Sequence, residues 1–166
     1  MKRLLILSGK GGTGKTTTAA AFIQFSQSRT IADCDVDAPN LHIVTEKTGE
    51  CRTKEFIGSK KAVIDETLCV HCGNCAEKCR FNAIADKGMS YSVDEYHCEG
   101  CGVCQYVCPN DAVRLVEDVA GKQELYLGDT VFSTATLKMS RGNSGKLVTA
   151  VKLDMLKHAP VFSVTI

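Results

Sequence analysis

The chain has 166 residues, of which 44% are hydrophobic and 23% charged, and its formal net charge is +1 at pH 7. This composition is typical of a globular protein, and a near-neutral charge gives no basis for a broad nucleic-acid or membrane-binding surface. No apolar run approaches the length of a membrane span. The apolar part of the N-terminus is too short for a signal peptide, so the sequence predicts a cytoplasmic protein.

The N-terminal segment predicts a βαβ unit around a glycine-rich loop. Leu4–Leu7 is predicted to be a short buried strand, 15–27 a helix and Thr30–Cys34 a second strand. This order predicts a parallel sheet with a right-handed crossover. Between the first strand and the helix, residues 9–16 match the pattern G-x-x-x-x-G-K-S/T without a mismatch.

That loop has the residues of a phosphate-binding loop. Its glycines let successive backbone N–H groups point at phosphate oxygens, and the following helix N-terminus adds a partial positive charge. Lys15 is expected to reach the β- and γ-phosphates of ATP, and the Thr16 hydroxyl to ligate Mg²⁺. The alternative is a glycine-rich turn with a solvated lysine. The predicted nucleotide-binding residues are Gly9, Gly11, Gly12, Thr13, Gly14, Lys15, Thr16 and Thr17.

Two aspartates, Asp33 and Asp35, stand at the carboxyl end of the second predicted strand. Ligand groups cluster at such strand ends in an open parallel sheet. Carboxylates there can hold Mg²⁺ through water or orient an attacking water. The alternative is that both are ordinary turn or cap aspartates.

The segment Lys10–Thr17, K-G-G-T-G-K-T-T, resembles the signature of the MinD/ParA group of deviant Walker A ATPases. The resemblance implies that Lys10 contacts ATP bound by a second subunit, and hence a homodimer formed through the nucleotide faces. It also implies that Asp35 orients the attacking water and that Asp33 acts on the Mg²⁺ side. The string Asp33–His42, followed by a cysteine-rich insert, resembles MinD-superfamily ATPases that carry an inserted ferredoxin domain.

Eight of the ten cysteines form two copies of the spacing C-x2-C-x2-C-x3-C, which holds pairs of cubane iron–sulfur clusters. Each iron takes one thiolate, and the fourth cysteine of each run crosses to the other cluster. Two 4Fe-4S clusters are therefore predicted. The first is held by Cys69, Cys72, Cys75 and Cys108, and the second by Cys98, Cys101, Cys104 and Cys79.

Two other uses of these cysteines are open. Disulfides are typical of small secreted chains, and structural zinc sites usually take two C-x2-C pairs that are farther apart. The lack of a signal peptide and the x2-x2-x3 spacing favour clusters over both. The neighbouring His71 and His97, and the separate Cys34 and Cys51, are predicted not to be ligands.

The insert is also an internal repeat. An apolar strand and an acidic pair lead into the first cysteine of each run, and residues 81–84 after the first run match 109–113 after the second. The repeat predicts a pseudo-symmetric module with one cluster near each end.

Residues 119–166 return to regular patterns. They predict a hairpin of 124–127 with 131–137, a helix from Asn143 to about His158, and a final strand at 160–166. The D-G-x-P-G segment of the MinD/ParA ATPases has no match, so the chain is expected to be truncated before switch II.

Together these patterns predict an α/β protein. A partial doubly wound parallel-sheet P-loop NTPase would occupy 1–57 and 119–166, with an inserted, small α+β ferredoxin-like domain for two 4Fe-4S clusters at 58–118. The predicted function is ATP-binding coupled to electron transfer or cluster handling, with an unidentified redox or cluster-accepting protein as partner. One alternative is an electron-transfer ferredoxin module on a degenerate, non-hydrolysing nucleotide domain. The other, a spatial-organiser ATPase on membrane or DNA, is disfavoured by the near-neutral charge.

Overall fold

The computed structural model describes residues 2–160 and 164–165. These residues form two compact units. The first unit comprises the chain up to Phe56, Gly121–Met139 and the residues from Asn143 onward, and the second comprises Ile57–Ala120 and Ser140–Gly142. The predicted insert, 58–118, falls within the second unit.

The described residues contain ten strands and five helices. The strands are β1 (Lys2–Arg3), β2 (Thr30–Ala32), β3 (Glu50–Ile57), β4 (Lys61–Ile64), β5 (Ile84–Asp86), β6 (Tyr91–Val93), β7 (Val113–Val116), β8 (Val119–Leu127), β9 (Val131–Leu137) and β10 (Val164–Thr165). The helices are α1 (Lys15–Ser26), α2 (Leu41–Val44), α3 (Asn74–Glu77), α4 (Val103–Tyr106) and α5 (Ser144–His158).

A mixed sheet with the strand order β1-β10-β2-β9-β8-β3 forms the base of the first unit. Strands β1, β10, β2 and β9 are parallel, as the βαβ pattern predicts, and β8 and β9 form an antiparallel hairpin. The predicted hairpin is therefore confirmed, with a longer first strand than expected. A mixed α/β fold is confirmed as well.

The core of the first unit lies where helices cover this sheet. Ile31 on β2 and Phe132 on β9 are almost fully buried and pack with Ala19 of α1. On α5, Leu147 and Val151 are fully buried. Both long helices were predicted at nearly these bounds, because each one is specified by a continuous local pattern.

The prediction of a buried strand at Leu4–Leu7 is wrong. Strand β1 ends at Arg3, and the side chains of Leu5 and Leu7 are 72% and 78% exposed. On the β1 side, the described residues of the neighbouring β10 pair with Lys2 and Arg3. Among the described residues, no strand faces Leu4–Leu7, and a strand forms only where its backbone groups find partners.

The first helix leaves part of its apolar surface exposed, since Phe22 and Phe25 are 46% and 88% exposed. One further expectation needs correction. The second strand ends at Ala32, two residues before its predicted end. Of the predicted final strand, residues 161–163 and 166 lie outside the described residues.

The second unit consists of two interlocked halves. Strand β4 before the first cysteine run pairs with β7 after the second, and β6 before the second run pairs with β5 after the first. Each pair is antiparallel. The halves are displaced by 29 positions, the separation of Cys69 and Cys98. The predicted pseudo-symmetry is therefore present in the fold.

No helix within residues 2–160 and 164–165 has both the length and the apolar character that crossing a bilayer requires.

Candidate functional sites

Two concave sites in the second unit are each lined by four cysteines. Cys69, Cys72, Cys75 and Cys108 line one of them, which we call the Cys69 site. Cys98, Cys101, Cys104 and Cys79 line the other, which we call the Cys98 site. The structure thus brings together each group of four that the sequence analysis proposes as a ligand set.

Aspartate turns position the first cysteine of each run. The Cys69 N–H donates to the Asp65 carbonyl oxygen at 3.1 Å, and the Cys98 N–H donates to that of Asp94 at 3.0 Å. The Asp65 carboxylate accepts hydrogen bonds from the Thr67 hydroxyl and N–H, which lower the pKa of Asp65. Both turns therefore present a cysteine in the same way, as the repeat requires.

The third cysteine of each run lies in a short helix, where Cys75 is buried and Cys104 is half-buried. Burial raises the pKa of the Cys75 and Cys104 thiols, and the negative charge on neighbouring cysteines raises it further. Cysteine ligates metal as the thiolate, so metal binding at these two thiols releases protons. The positive charge of the bound metal must then compensate the negative charge of the thiolates.

The crossing cysteines accept backbone hydrogen bonds at sulfur. The Ala83 N–H donates to Cys79 Sγ at 3.4 Å, and the Ala112 N–H donates to Cys108 Sγ at 3.2 Å. A left-handed residue, Asn82 or Asp111, turns the chain in each case. Such N–H donors stabilise negative charge on the sulfur.

All ten cysteines lie within residues 2–160, and every one is a free thiol. Cys34 and Cys51 belong to the first unit, and each four-cysteine site is lined by cysteines of the second unit.

The surroundings of the two sites differ in ways that the sequence analysis missed. At the Cys69 site, the Tyr91 ring lines the wall and stacks on His71 with ring centroids 4.6 Å apart. His71 Nε2 lies 3.1 Å from Asp86 Oδ1. Ala62 occupies the position that corresponds to Tyr91 in the other half. A position-by-position comparison of the two halves was the signal that could have found this difference.

The glycine-rich loop of the first unit leads directly into α1, which begins at Lys15. Gly12 and Gly14 have positive φ angles of 77° and 81°. Together with Asp35, Ala38 and Asn40, residues 8–17 line an open cleft of about 590 Å³. Lys10 is exposed, and its carbonyl oxygen accepts a hydrogen bond from the Thr13 hydroxyl at 3.1 Å.

Polar side chains meet at this loop. Lys15 Nζ lies 2.6 Å from Asp35 Oδ2, and the Thr16 hydroxyl donates to Asn40 Oδ1 at 2.7 Å. Asp33 is buried, and its two carboxylate oxygens accept hydrogen bonds from the backbone N–H groups of Asp35 and Leu41. In this arrangement Asp33 acts as a turn aspartate, while its role toward Mg²⁺ stays a prediction.

Comparison with known proteins extends this description. The family model of the 4Fe-4S dicluster domain matches residues 62–115. Over 94% of its length, the chain is 32% identical to an uncharacterised protein of Methanocaldococcus jannaschii, and it spans 55% of that relative. It is 30% identical to an uncharacterised ferredoxin of the same organism, over 71% of this chain and 76% of the ferredoxin. Pyruvate synthase subunit PorD of that organism is 32% identical over 45% of this chain and 81% of the subunit.

Proposed function

This chain belongs to the ferredoxin family, with a 4Fe-4S dicluster domain in its second unit, and on that basis we propose that it is an electron-transfer protein with two 4Fe-4S clusters. The observation that carries the proposal is the convergence of two groups of four cysteines at the Cys69 and Cys98 sites. When bound, each cluster supplies reversible one-electron chemistry.

The chain's own residues fit that cofactor. Each site offers four thiols, three from one run and one from the other, which is the ligand pattern of two-cluster ferredoxins. Backbone N–H donors to Cys79, Cys98 and Cys108 offset negative charge on sulfur. The proposed partner is a redox protein. This proposal is supported by the similar protein PorD, which is named as a subunit of pyruvate synthase. A cytoplasmic location stays a prediction.

Iron analysis of anaerobically purified protein tests the proposal. We expect about eight iron and eight sulfide per chain, and a reduced form with the paramagnetic signals of 4Fe-4S clusters. In Cys79→Ala, iron should fall by about half, because only the Cys98 site loses a ligand. The matched control is Cys51→Ala, which removes a cysteine of the first unit and should keep the full iron content. Iron-free protein, or thiols occupied by zinc, would contradict the proposal.

We further propose that the first unit binds ATP with Mg²⁺ at residues 9–17, through the predicted residues Lys15 and Thr16. The arrangement that favours this is a glycine-rich loop opening onto a helix N-terminus, where anionic phosphates are stabilised. Lys15 is paired with Asp35, so a phosphate would have to take over its ammonium. A homodimer through the nucleotide faces, with Lys10 reaching the partner's ATP and Asp35 orienting water, belongs to the same proposal.

Titration calorimetry with Mg-ATP tests the nucleotide site. We expect micromolar binding that weakens at least 100-fold in Lys15→Ala, since the interaction of a charged donor with phosphate is worth several kcal/mol. Lys54→Ala, at an exposed lysine of β3, should bind like the wild type. In the same samples, a cluster potential or oligomeric state that responds to Mg-ATP would support coupling. If the wild-type protein does not bind Mg-ATP, the nucleotide site is refuted and only the proposed electron-transfer function stands.

A further inference from the structure

The Cys98 site has a buried cation beside it. Lys61, the first residue of β4, is only 8% exposed. Its ammonium donates a hydrogen bond to the backbone carbonyl oxygen of Cys98. Within the part of the chain that the structure describes, no carboxylate forms an ion pair with Lys61. The positive charge is therefore held at the backbone of a cysteine of this site, and among the described residues no ion pair neutralises it.

The next residue strengthens this connection. The Ala62 N–H lies 3.5 Å from Cys98 Sγ and donates to it. The beginning of β4 thus contacts the first cysteine of the second run twice, once through a side-chain cation and once through a backbone donor. Pairing of Lys61 with Val116 on β7 holds the strand in this register.

Among the residues that the structure describes, no buried lysine or arginine lines the Cys69 site. By the 29-residue repeat, the counterpart of Lys61 is Ser90, a neutral residue. The nearest carboxylate that contacts its wall is Asp86, which is hydrogen-bonded to Tyr91 and His71 but is itself exposed, so solvent and salt screen its charge. The charges beside the Cys98 ligands at Arg80 and Glu99 are exposed, so solvent and salt screen them.

We propose that Lys61 makes the Cys98 site the more easily reduced of the two. Reduction adds one negative charge to a cluster and its thiolates, and a buried ammonium at hydrogen-bond distance from a ligand residue stabilises that charge more strongly than exposed charges do. The Cys69 site, with the neutral Ser90 at the corresponding place, takes up its electron at a more negative potential. This inference rests on the proposed binding of two clusters.

The test measures each site separately in three variants at position 61. Lys61→Met removes the charge and keeps most of the aliphatic chain, Lys61→Gln keeps a neutral hydrogen-bond donor, and Lys61→Arg keeps the charge. The control is Lys87→Met, which removes an exposed lysine of the same unit. The protein is reduced stepwise with a low-potential one-electron donor, and voltammetry measures the reduction potentials. NMR of the hyperfine-shifted Hβ protons, assigned to individual cysteines, shows which of the two sites is reduced at each step.

In Lys61→Met and Lys61→Gln, we expect the ratio of reduced to oxidised cluster at the Cys98 site to fall about tenfold at the wild-type midpoint. For a one-electron couple this is a shift of about 59 mV to more negative potential. The Cys69 site should change much less, and Lys61→Arg and Lys87→Met should resemble the wild type. The reciprocal Ser90→Lys should make the Cys69 site easier to reduce.

Failure of this inference is distinguishable from failure of the proposed function. A wild-type protein without iron refutes the clusters. Full iron content with unchanged potentials in Lys61→Met and Lys61→Gln overturns the role of Lys61 alone. A shift in Lys61→Met but not in Lys61→Gln also overturns it, because the hydrogen bond and not the charge would then be responsible.

Discussion

Single residues in the left-handed region shape the cysteine loops. His71 and Gly100 occupy the same place in the two halves, with φ angles of 56° and 67°. A side chain in this conformation costs roughly 1–2 kcal/mol. His71 offsets this cost by stacking on Tyr91 and by contacting Asp86. Position 100 has no room for a side chain, because a Cβ there would overlap the carbonyl group of Lys60.

We therefore expect Gly100→Ala to disrupt the Cys98 site. The backbone of Lys60 would have to move, and it lies next to Lys61, which holds Cys98 in place. The expected result is loss of about half of the iron and a destabilisation of more than about 2 kcal/mol in chemical denaturation, the conformational penalty plus a steric clash.

Gly88→Ala is the matched control for that variant. Gly88 also has a positive φ angle, 89°, but nothing lies within 4 Å of a Cβ placed there. Its substitution should cost only the conformational penalty and leave the iron content unchanged. Equal iron loss in both variants would show that the contact with Lys60 is irrelevant.

At the scale of elements, local patterns predicted the long helices and the hairpin well. Helix α1, helix α5 and the β8–β9 pair each depend on periodicity within one continuous stretch. The failed strand at Leu4–Leu7 has an equally clear apolar pattern. A segment becomes a buried strand only if another strand, distant in sequence, lies beside it. The local apolar pattern contains no information about that neighbour.

The segment Ser140–Gly142 between β9 and α5 shows the same dependence. It belongs to the second unit, where the side chain of Arg141 is 6% exposed. The Arg141 guanidinium lies 2.8 Å from Asp118 Oδ2 and 2.6 Å from Glu95 Oε2. No motif marks this arginine, because its partners lie about 20 to 50 residues away along the chain.

We expect Arg141→Met to destabilise the second unit by about 3–5 kcal/mol, since it leaves the largely buried Asp118 carboxylate without its cation. Denaturant unfolding followed by the visible absorbance of the clusters measures this change. Arg52→Met breaks the exposed pair with Glu50, whose atoms lie 3.5 Å apart, and should change stability by less than about 1 kcal/mol. Similar effects of both substitutions would contradict a buried, structural role for Arg141.

At the scale of the whole molecule, the two units have different relationships to known proteins. The dicluster family model matches residues 62–115, within the second unit, whereas the similarity to the uncharacterised Methanocaldococcus jannaschii protein extends over 94% of the chain. The ferredoxin character of the second unit is therefore established by relatives, while nucleotide binding by the first depends on the proposed experiments.

The sequence alone determined the two cysteine runs, their proposed division into two ligand sets and the glycine-rich loop, because each depends on residue types at short, regular spacings. Only the tertiary structure decided that Lys61 reaches Cys98, 37 positions away, and that Leu5 and Leu7 are exposed. The physical reason is that burial and charge act through space. A lysine has the same identity on the surface and beside a cysteine, and only the fold decides which charge it stabilises.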